Sequence, residues 1–201
     1  MEVLRTTAAA AHGRAWPEPA APTVWCVEVD GPALVLGSTQ PDGVVDGARA
    51  AAVGVDVVRR RSGGGAVLLR PGEVVWIDVL VPAGDPLWEA DVGRAFGWLG
   101  RAWVDALGAL GVAAVAYDGP LAAGRWSSLV CFGGLGPGEV TVEGRKIVGI
   151  SQRRTRAGAL FQCAVLVEWD PSPLLDLLVL TDDDRTEAAV DLAWVATDAG
   201  G

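Results

Sequence analysis

Arg59-Arg60-Arg61-Ser62-Gly63-Gly64-Gly65-Ala66-Val67 is the stretch on which the reading of this chain turns. Three consecutive cations run into three consecutive glycines, and a strand-like segment, Ala66–Leu69, follows. Such glycines let the backbone come close to a bound group and aim successive N–H groups at an anion. No Gly-Lys-Ser/Thr follows, which excludes a Walker loop. A strand rather than a helix follows, which excludes the dinucleotide GxGxxG motif. A second basic window holds Arg145, Lys146, Arg153, Arg154 and Arg156. It lies in an expected hairpin, Glu139–Val142 and Arg145–Gln152 joined by Glu143-Gly144. Alternation predicts Lys146, Val148, Ile150 and Gln152 on one face. The lysine is then either partly desolvated, with a lowered pKa and a strong pull on an anion or carbonyl, or it snorkels to water.

The rest of the composition sharpens that picture. The chain has 201 residues and a net charge of −9, with 15 Arg, one Lys (Lys146) and one His (His12). The two basic windows carry +8 and the remaining residues −17. Basic islands on an acidic protein suit an anionic ligand or acidic partner and argue against general nucleic-acid binding. Apolar residues make up 51% and mean hydropathy is +0.34, yet no run of about 18 apolar residues exists to span a membrane. Three dispersed cysteines, Cys26, Cys131 and Cys163, form neither a disulfide framework nor a zinc pattern, so reduced thiols and a cytoplasmic location are expected. A single His leaves little room for a metal cluster or a Ser-His-Asp triad.

Length and uniform composition predict one domain over residues 24–201, preceded by an arm or short helix over 1–23 that ends in the Pro17–Pro22 stretch. Strands are expected at Val24–Asp30, Ala33–Leu36, Val55–Arg59, Ala66–Leu69, Val74–Leu80, Val112–Ala116, Ser128–Phe132, Glu139–Val142, Arg145–Gln152 and Ala159–Val167. One long helix is predicted from an Asp85 N-cap and Pro86 to Leu110, stopping at Gly111. A short helix is expected over Leu174–Leu180, and a final one from Thr181 to about Val195. Trp88 and Trp103 are expected in the core, and Trp76 and Trp126 on a ligand tunnel.

The first stretch resembles the RRxSGGGAV signature of the lipoate–protein ligase A family. Gly144-Arg145-Lys146-Ile147-Val148-Gly149-Ile150-Ser151-Gln152-Arg153-Arg154 resembles its second signature, and the match runs from about Val24 to Leu180. The resemblance implies an α+β fold of the biotin/lipoate ligase type (class II synthetase-like), with mixed, largely antiparallel sheets flanked by helices. Many family ligases carry a separate C-terminal accessory domain, and none is expected within these 201 residues. It implies attachment of lipoyl or octanoyl groups to the acceptor lysine of a lipoyl carrier domain or H protein. Ser62, Gly63, Gly64, Gly65 and Ala66 would lie over the acyl group. Arg60 and Arg153 would meet phosphate or carbonyl oxygens, with Gly149 and Gln152 alongside. Lys146 would hold the acyl carbonyl.

Two mechanisms fit the family. A ligase uses ATP and magnesium to form an acyl-adenylate, in some cases with a separate accessory protein. A transferase needs no cofactor and takes octanoate from acyl carrier protein onto a cysteine. Ser128-Leu129-Val130-Cys131-Phe132 resembles the cysteine-dependent branch, with Cys131 as nucleophile and Lys146 as its activator, His12 being remote in the arm. A buried core cysteine is the other reading of Cys131. Where family ligases carry His-Asp-x-Gly-Asn, this chain has Leu68-Leu69-Arg70-Pro71-Gly72-Glu73. A non-catalytic member that binds acyl groups or lipoyl domains is the third reading.

Overall fold

The computed structural model describes residues 1–15 and 21–199. Its centre is a seven-stranded sheet built from β1 (Glu2–Thr6), β2 (Thr23–Val29), β6 (Val74–Pro82), β7 (Val115–Ala116), β8 (Val140–Val142), β9 (Arg145–Arg154) and β10 (Gly158–Leu166), in the order β1-β2-β6-β10-β9-β8-β7. Every pairing is antiparallel except β1 with β2. A second sheet has the order β4-β3-β5, with β3 (Ala33–Leu36) between β4 (Asp56–Arg59) and β5 (Val67–Leu69). This is the expected α+β class.

The apolar runs of β6 and β10 are explained by covers on both faces. On one face Val79, Val81, Val148, Ile150, Phe161 and Val165 pack against Leu99 and Leu107 of helix α3 (Gly97–Ala109). On the other, Val27 and Trp76 meet Val35, Val58 and Leu69 of the small sheet, together with Ala8 of α1 (Ala8–Gly13). The small sheet's outer face, Leu34 and Leu36, is closed by α2 (Gly47–Ala52), α4 (Ser172–Leu175) and α5 (Asp182–Val195). Thr181 caps α5, its hydroxyl accepting from the Asp184 N–H at 3.1 Å. The layers therefore run helix, sheet, sheet, helices, and the space between the two sheets is where a ligand fits.

Four expectations need correction. The N-terminus holds the short helix, α1, but also a strand that was not expected: β1 extends the main sheet in parallel register with β2. The Pro17–Pro22 stretch falls largely on residues 16–20, outside the described residues. The long helix starts late. Asp85 turns its carboxylate to the Leu87 N–H at 2.9 Å, while Arg154 stacks 4.8 Å over Trp88 and takes the carbonyls of Glu89 (2.6 Å) and Ala90 (3.0 Å). Those carbonyls are thus bound to a strand side chain instead of a helical turn. Asp91 then takes the Arg94 N–H, and winding begins there. Ser128–Phe132 is not a strand but a turn entering a 3₁₀ segment at Cys131–Gly133, with one bridge from Ala66 to Val130. Trp126 faces the helices, its Nε1 donating to Asp191 at 2.8 Å, so it does not line the intersheet space.

Candidate active site

The glycine loop is shaped by contacts only glycine permits. A Cβ on Gly37 would stand 1.9 Å from the Gly64 oxygen, and one on Gly65 would stand 2.5 Å from the Val130 carbonyl carbon. Gly64 has φ +100°. Because Gly65 lies flush on Val130, Ala66 N–H reaches Leu129 O (2.7 Å) and Cys131 N–H reaches Ala66 O (2.8 Å). The loop and the cysteine turn are thus one hydrogen-bonded unit. Gln40 locks it from below, accepting from Gly37 N–H (2.9 Å) and donating to Ser128 O (2.9 Å) and Leu129 O (3.1 Å).

Arg60 points inward. It is 4% exposed and donates to the carbonyls of Gly63 (2.7 Å), Gly65 (2.8 Å) and Val35 (3.3 Å). In this geometry it braces the loop. Arg59 likewise binds Gly37 O and Gln40 O and pairs with Asp42, and Arg145 pairs with Glu143 at 3.6 Å. Arg61 directly precedes Ser62 of the loop, and its charge reaches Arg153 of β9. Partial burial and then the Arg61 charge lower the pKa of Arg153. Ser62 and Ser151, joined Oγ to Oγ at 3.0 Å, tie the loop to β9 at the same place. Gln152 accepts from Arg154 Nε at 3.0 Å.

Lys146 is 2% exposed, so the buried reading holds and snorkelling does not. Its ammonium pairs with Glu139 at 2.7 Å and donates to Cys131 O (3.0 Å) and Gly134 O (3.1 Å), with the Phe132 ring centroid 5.1 Å away. All three donors are thereby used. Glu139 is fixed in turn by the N–H groups of Gly136 (2.7 Å) and Ile150 (3.0 Å). Strict alternation fails here, because the register shifts between Val140 and Thr141. Val148 and Ile150 pack in the main core. The lysine's end lies beside Gly149, where an added Cβ would meet Lys146 Cε at 3.3 Å and Phe132 Cζ at 3.4 Å. Glu139 was visible in the sequence only as the first residue of a strand; an acid before the lysine hairpin was the signal available.

A cavity of about 50 Å³ opens between the sheets beside this centre. Cys131, Gly149 and Phe132 line it near Lys146, and Val35, Val67, Leu69 and Trp76 form its apolar walls. Cys131 is half-buried, and the ammonium meets its carbonyl oxygen. His12, expected to be remote, is a wall of this cavity. Helix α1 lays its ring 4.6 Å from that of Trp76, and Gln162 Nε2 stands 3.4 Å from His12 Nδ1. Behind them Asp78, 6% exposed, accepts from Trp76 Nε1 (2.6 Å) and Gln162 Nε2 (3.3 Å). Burial, then the Arg60 charge, lowers His12 to about 4. Burial raises Asp78 to about 6, opposed by the Trp76 and Gln162 hydrogen bonds and by Arg14. Sequence reasoning missed this network, because α1 is Ala-rich and nothing local ties it to β6.

Among the described residues no three or more His, Cys, Asp or Glu stand together as a metal site, and no helix is long and apolar enough to cross a membrane.

Two facing sheets flanked by helices in this order have solved counterparts. A bi-partite lipoate protein ligase of Thermoplasma acidophilum, solved in a study of that ligase and its E2 lipoyl domain, superposes with a TM-score of 0.75 at 18% identity, over 98% of this chain and 73% of that one. Lipoate-protein ligase A bound with ATP gives 0.67 at 18%, over 99% and 76%. The fold is that of the lipoate ligases. Residues 7–192 match the model of the lipoyl protein ligase A/B catalytic domain, and the chain belongs to that enzyme family. The octanoyltransferase LipM of Kyrpidia tusciae is 33% identical over 168 residues, 81% of this chain. The chain spans 60% of that relative's length.

Proposed function

We propose that the chain is an acyltransferase that moves an octanoyl or lipoyl group through a thioester on Cys131 to the acceptor lysine of a lipoyl carrier domain. The observation that carries this reading is the position of Cys131. It lines the gap between the sheets, its N–H is bound to Ala66 beside the glycine loop, and its carbonyl is bound to Lys146. In the first half-reaction the Cys131 thiolate attacks the carbonyl of an acyl thioester on acyl carrier protein. A new C–S bond forms, the donor's C–S bond breaks, and the donor leaves as a thiol with the proton the cysteine gave up. In the second, the neutral acceptor amine attacks the Cys131 thioester. An amide forms and the thiol is regenerated. Lys146, held by Glu139, fixes the backbone of the nucleophile's turn through the Cys131 and Gly134 carbonyls. The likeness to an octanoyltransferase supports the same branch.

At about 50 Å³ the cavity holds only a few waters, so an acyl chain enters by displacing wall side chains. The expected result with octanoyl-acyl carrier protein is one hydroxylamine-labile octanoyl adduct, mapped to Cys131 by mass and absent in Cys131→Ser. An adduct on no residue, or one surviving in Cys131→Ser, overturns the reading.

A ligase is the second reading, favoured by Arg61, which precedes the loop, and Arg153, which its charge reaches. Those two guanidiniums and Ser62 suit a nucleotide phosphate, and bound ATP would supply the activated acyl-phosphate linkage. Acyl-adenylate formed from ATP, magnesium and lipoate, undiminished in Cys131→Ser, would establish it. Carrier recognition without either chemistry would leave the non-catalytic reading.

A further inference from the structure

The floor of the cavity steps up in size along a line across the main sheet. Resting on the acyl-cavity reading above, we propose that Trp76 is the stop against which the acyl chain ends, so that this residue sets its length at eight carbons.

The line is fixed by strand register. Gly149 of β9 pairs with Ala164 of β10, Ala164 with Trp76 of β6, and Trp76 with Val27 of β2. Residues paired across antiparallel strands share a face, and Gly149, Ala164 and Trp76 all line the cavity. The row begins at the reactive end: the Lys146 side chain lies beside Gly149, and its ammonium binds the Cys131 carbonyl at 3.0 Å. Gly149 and Ala164 raise nothing larger than a methyl group above the sheet, and Ala164 packs in the cluster that holds Cys131 and Phe132. Trp76 then rises as a full indole and packs in a different cluster, with Val27, Val35 and Leu69. Two strand spacings, about 10 Å, separate it from Gly149. That is the span of an extended eight-carbon chain.

A stop must also be rigid. An entering chain has to displace wall side chains, and Trp76 is held on two sides against displacement. It is 4% exposed, its Nε1 donates to the buried Asp78 carboxylate at 2.6 Å, and the His12 ring packs 4.6 Å from its own. The Val35, Val67 and Leu69 side chains on the facing sheet line the same cavity and are held by packing alone. The gap therefore gains width on their side and keeps its length.

The test is a series of transfer assays with hexanoyl, octanoyl, decanoyl and dodecanoyl groups on acyl carrier protein, read as kcat/KM for each length. The wild type is expected to favour octanoyl over decanoyl about tenfold or more, the discrimination a closed apolar pocket gives per methylene. Trp76→Leu should move the optimum to decanoyl or dodecanoyl. Ala164→Val, which raises the floor ahead of the stop with a residue suited to a strand, should move it to hexanoyl, and it decides the matter alone if Trp76→Leu does not fold. An optimum that stays at octanoyl in each variant that folds, or a loss equal for every length, overturns the inference while leaving the acyl-cavity reading intact. So does a wild type that takes dodecanoyl as readily as octanoyl. If the wild type transfers none of the four groups, the acyl-cavity reading fails and this inference with it.

Discussion

At the scale of single residues, the Lys146–Glu139 pair is the most exposed to test because it is so little exposed to water. Two charges, 2% and 7% exposed, face each other at 2.7 Å. Removing one leaves the other buried and uncompensated, which costs about 3–5 kcal/mol. Glu139→Gln is expected to lose stability of that order in urea titrations. Glu139→Gln with Lys146→Met should recover part of it while remaining inactive, because the pair is replaced but the cation is gone. Additive losses in the double variant would refute direct coupling.

His12 and Asp78 make a second residue-scale prediction through pH. His12 has its folded pKa below the unfolded value, so as pH falls from about 6.5 to 4 the unfolded chain takes up a proton first and stability drops. Asp78 has its folded pKa above the unfolded value, so between about pH 6 and 3.8 the folded chain binds the proton and stability rises. The two effects largely cancel in that window. Asp78→Asn removes the second, and between pH 7 and 4.5 the variant is expected to lose about 2 kcal/mol more than the parent. Identical pH profiles would show that the network does not bury these groups as described.

At the scale of elements, the site depends on a loop seated against a turn. Gly65→Ala sets a Cβ 2.5 Å from Val130 backbone, which cannot move without carrying Cys131 with it. Loss of adduct formation and a lower melting temperature are expected, as overpacking typically costs 1–3 kcal/mol. Gly63→Ala meets no atom within 4 Å and should melt with the parent. An unchanged Gly65→Ala would mean that the loop need not seat on this turn.

The same elements show what the sequence made legible. Apolar runs bounded by turn residues marked β6, β9 and β10, and the Glu143-Gly144 hairpin stands with both residues at positive φ, 52° and 79°. Lys146 is buried, the first of the two readings its strand position left open, and a Ser62–Ser151 hydrogen bond ties the glycine-loop segment to the strand that carries it. The late start of α3 was not legible: it is decided by Arg154, which lies far along the chain and claims the carbonyls of Glu89 and Ala90. The inward turn of Arg60, the Glu139 partner and the arrival of His12 were hidden for the same reason. Each is a tertiary contact between segments whose local patterns carry no mark of the other.

At the scale of the whole molecule, the two sheets make a slot, and the glycine loop, the Cys131 turn and β9 meet at one end of it. The acids lie outside the two basic windows, and within those windows the Arg61 charge reaches Arg153. The central claim is that this slot hands an acyl group from a thioester to a carrier lysine by way of Cys131. It is tested most directly by incubating the chain with octanoyl-acyl carrier protein and an unmodified lipoyl domain, without ATP, and weighing the domain. A gain of one octanoyl group on the acceptor lysine, lost in Cys131→Ser and in Lys146→Ala, is the predicted result. An unmodified domain here, or modification that persists in Cys131→Ser, would contradict the claim.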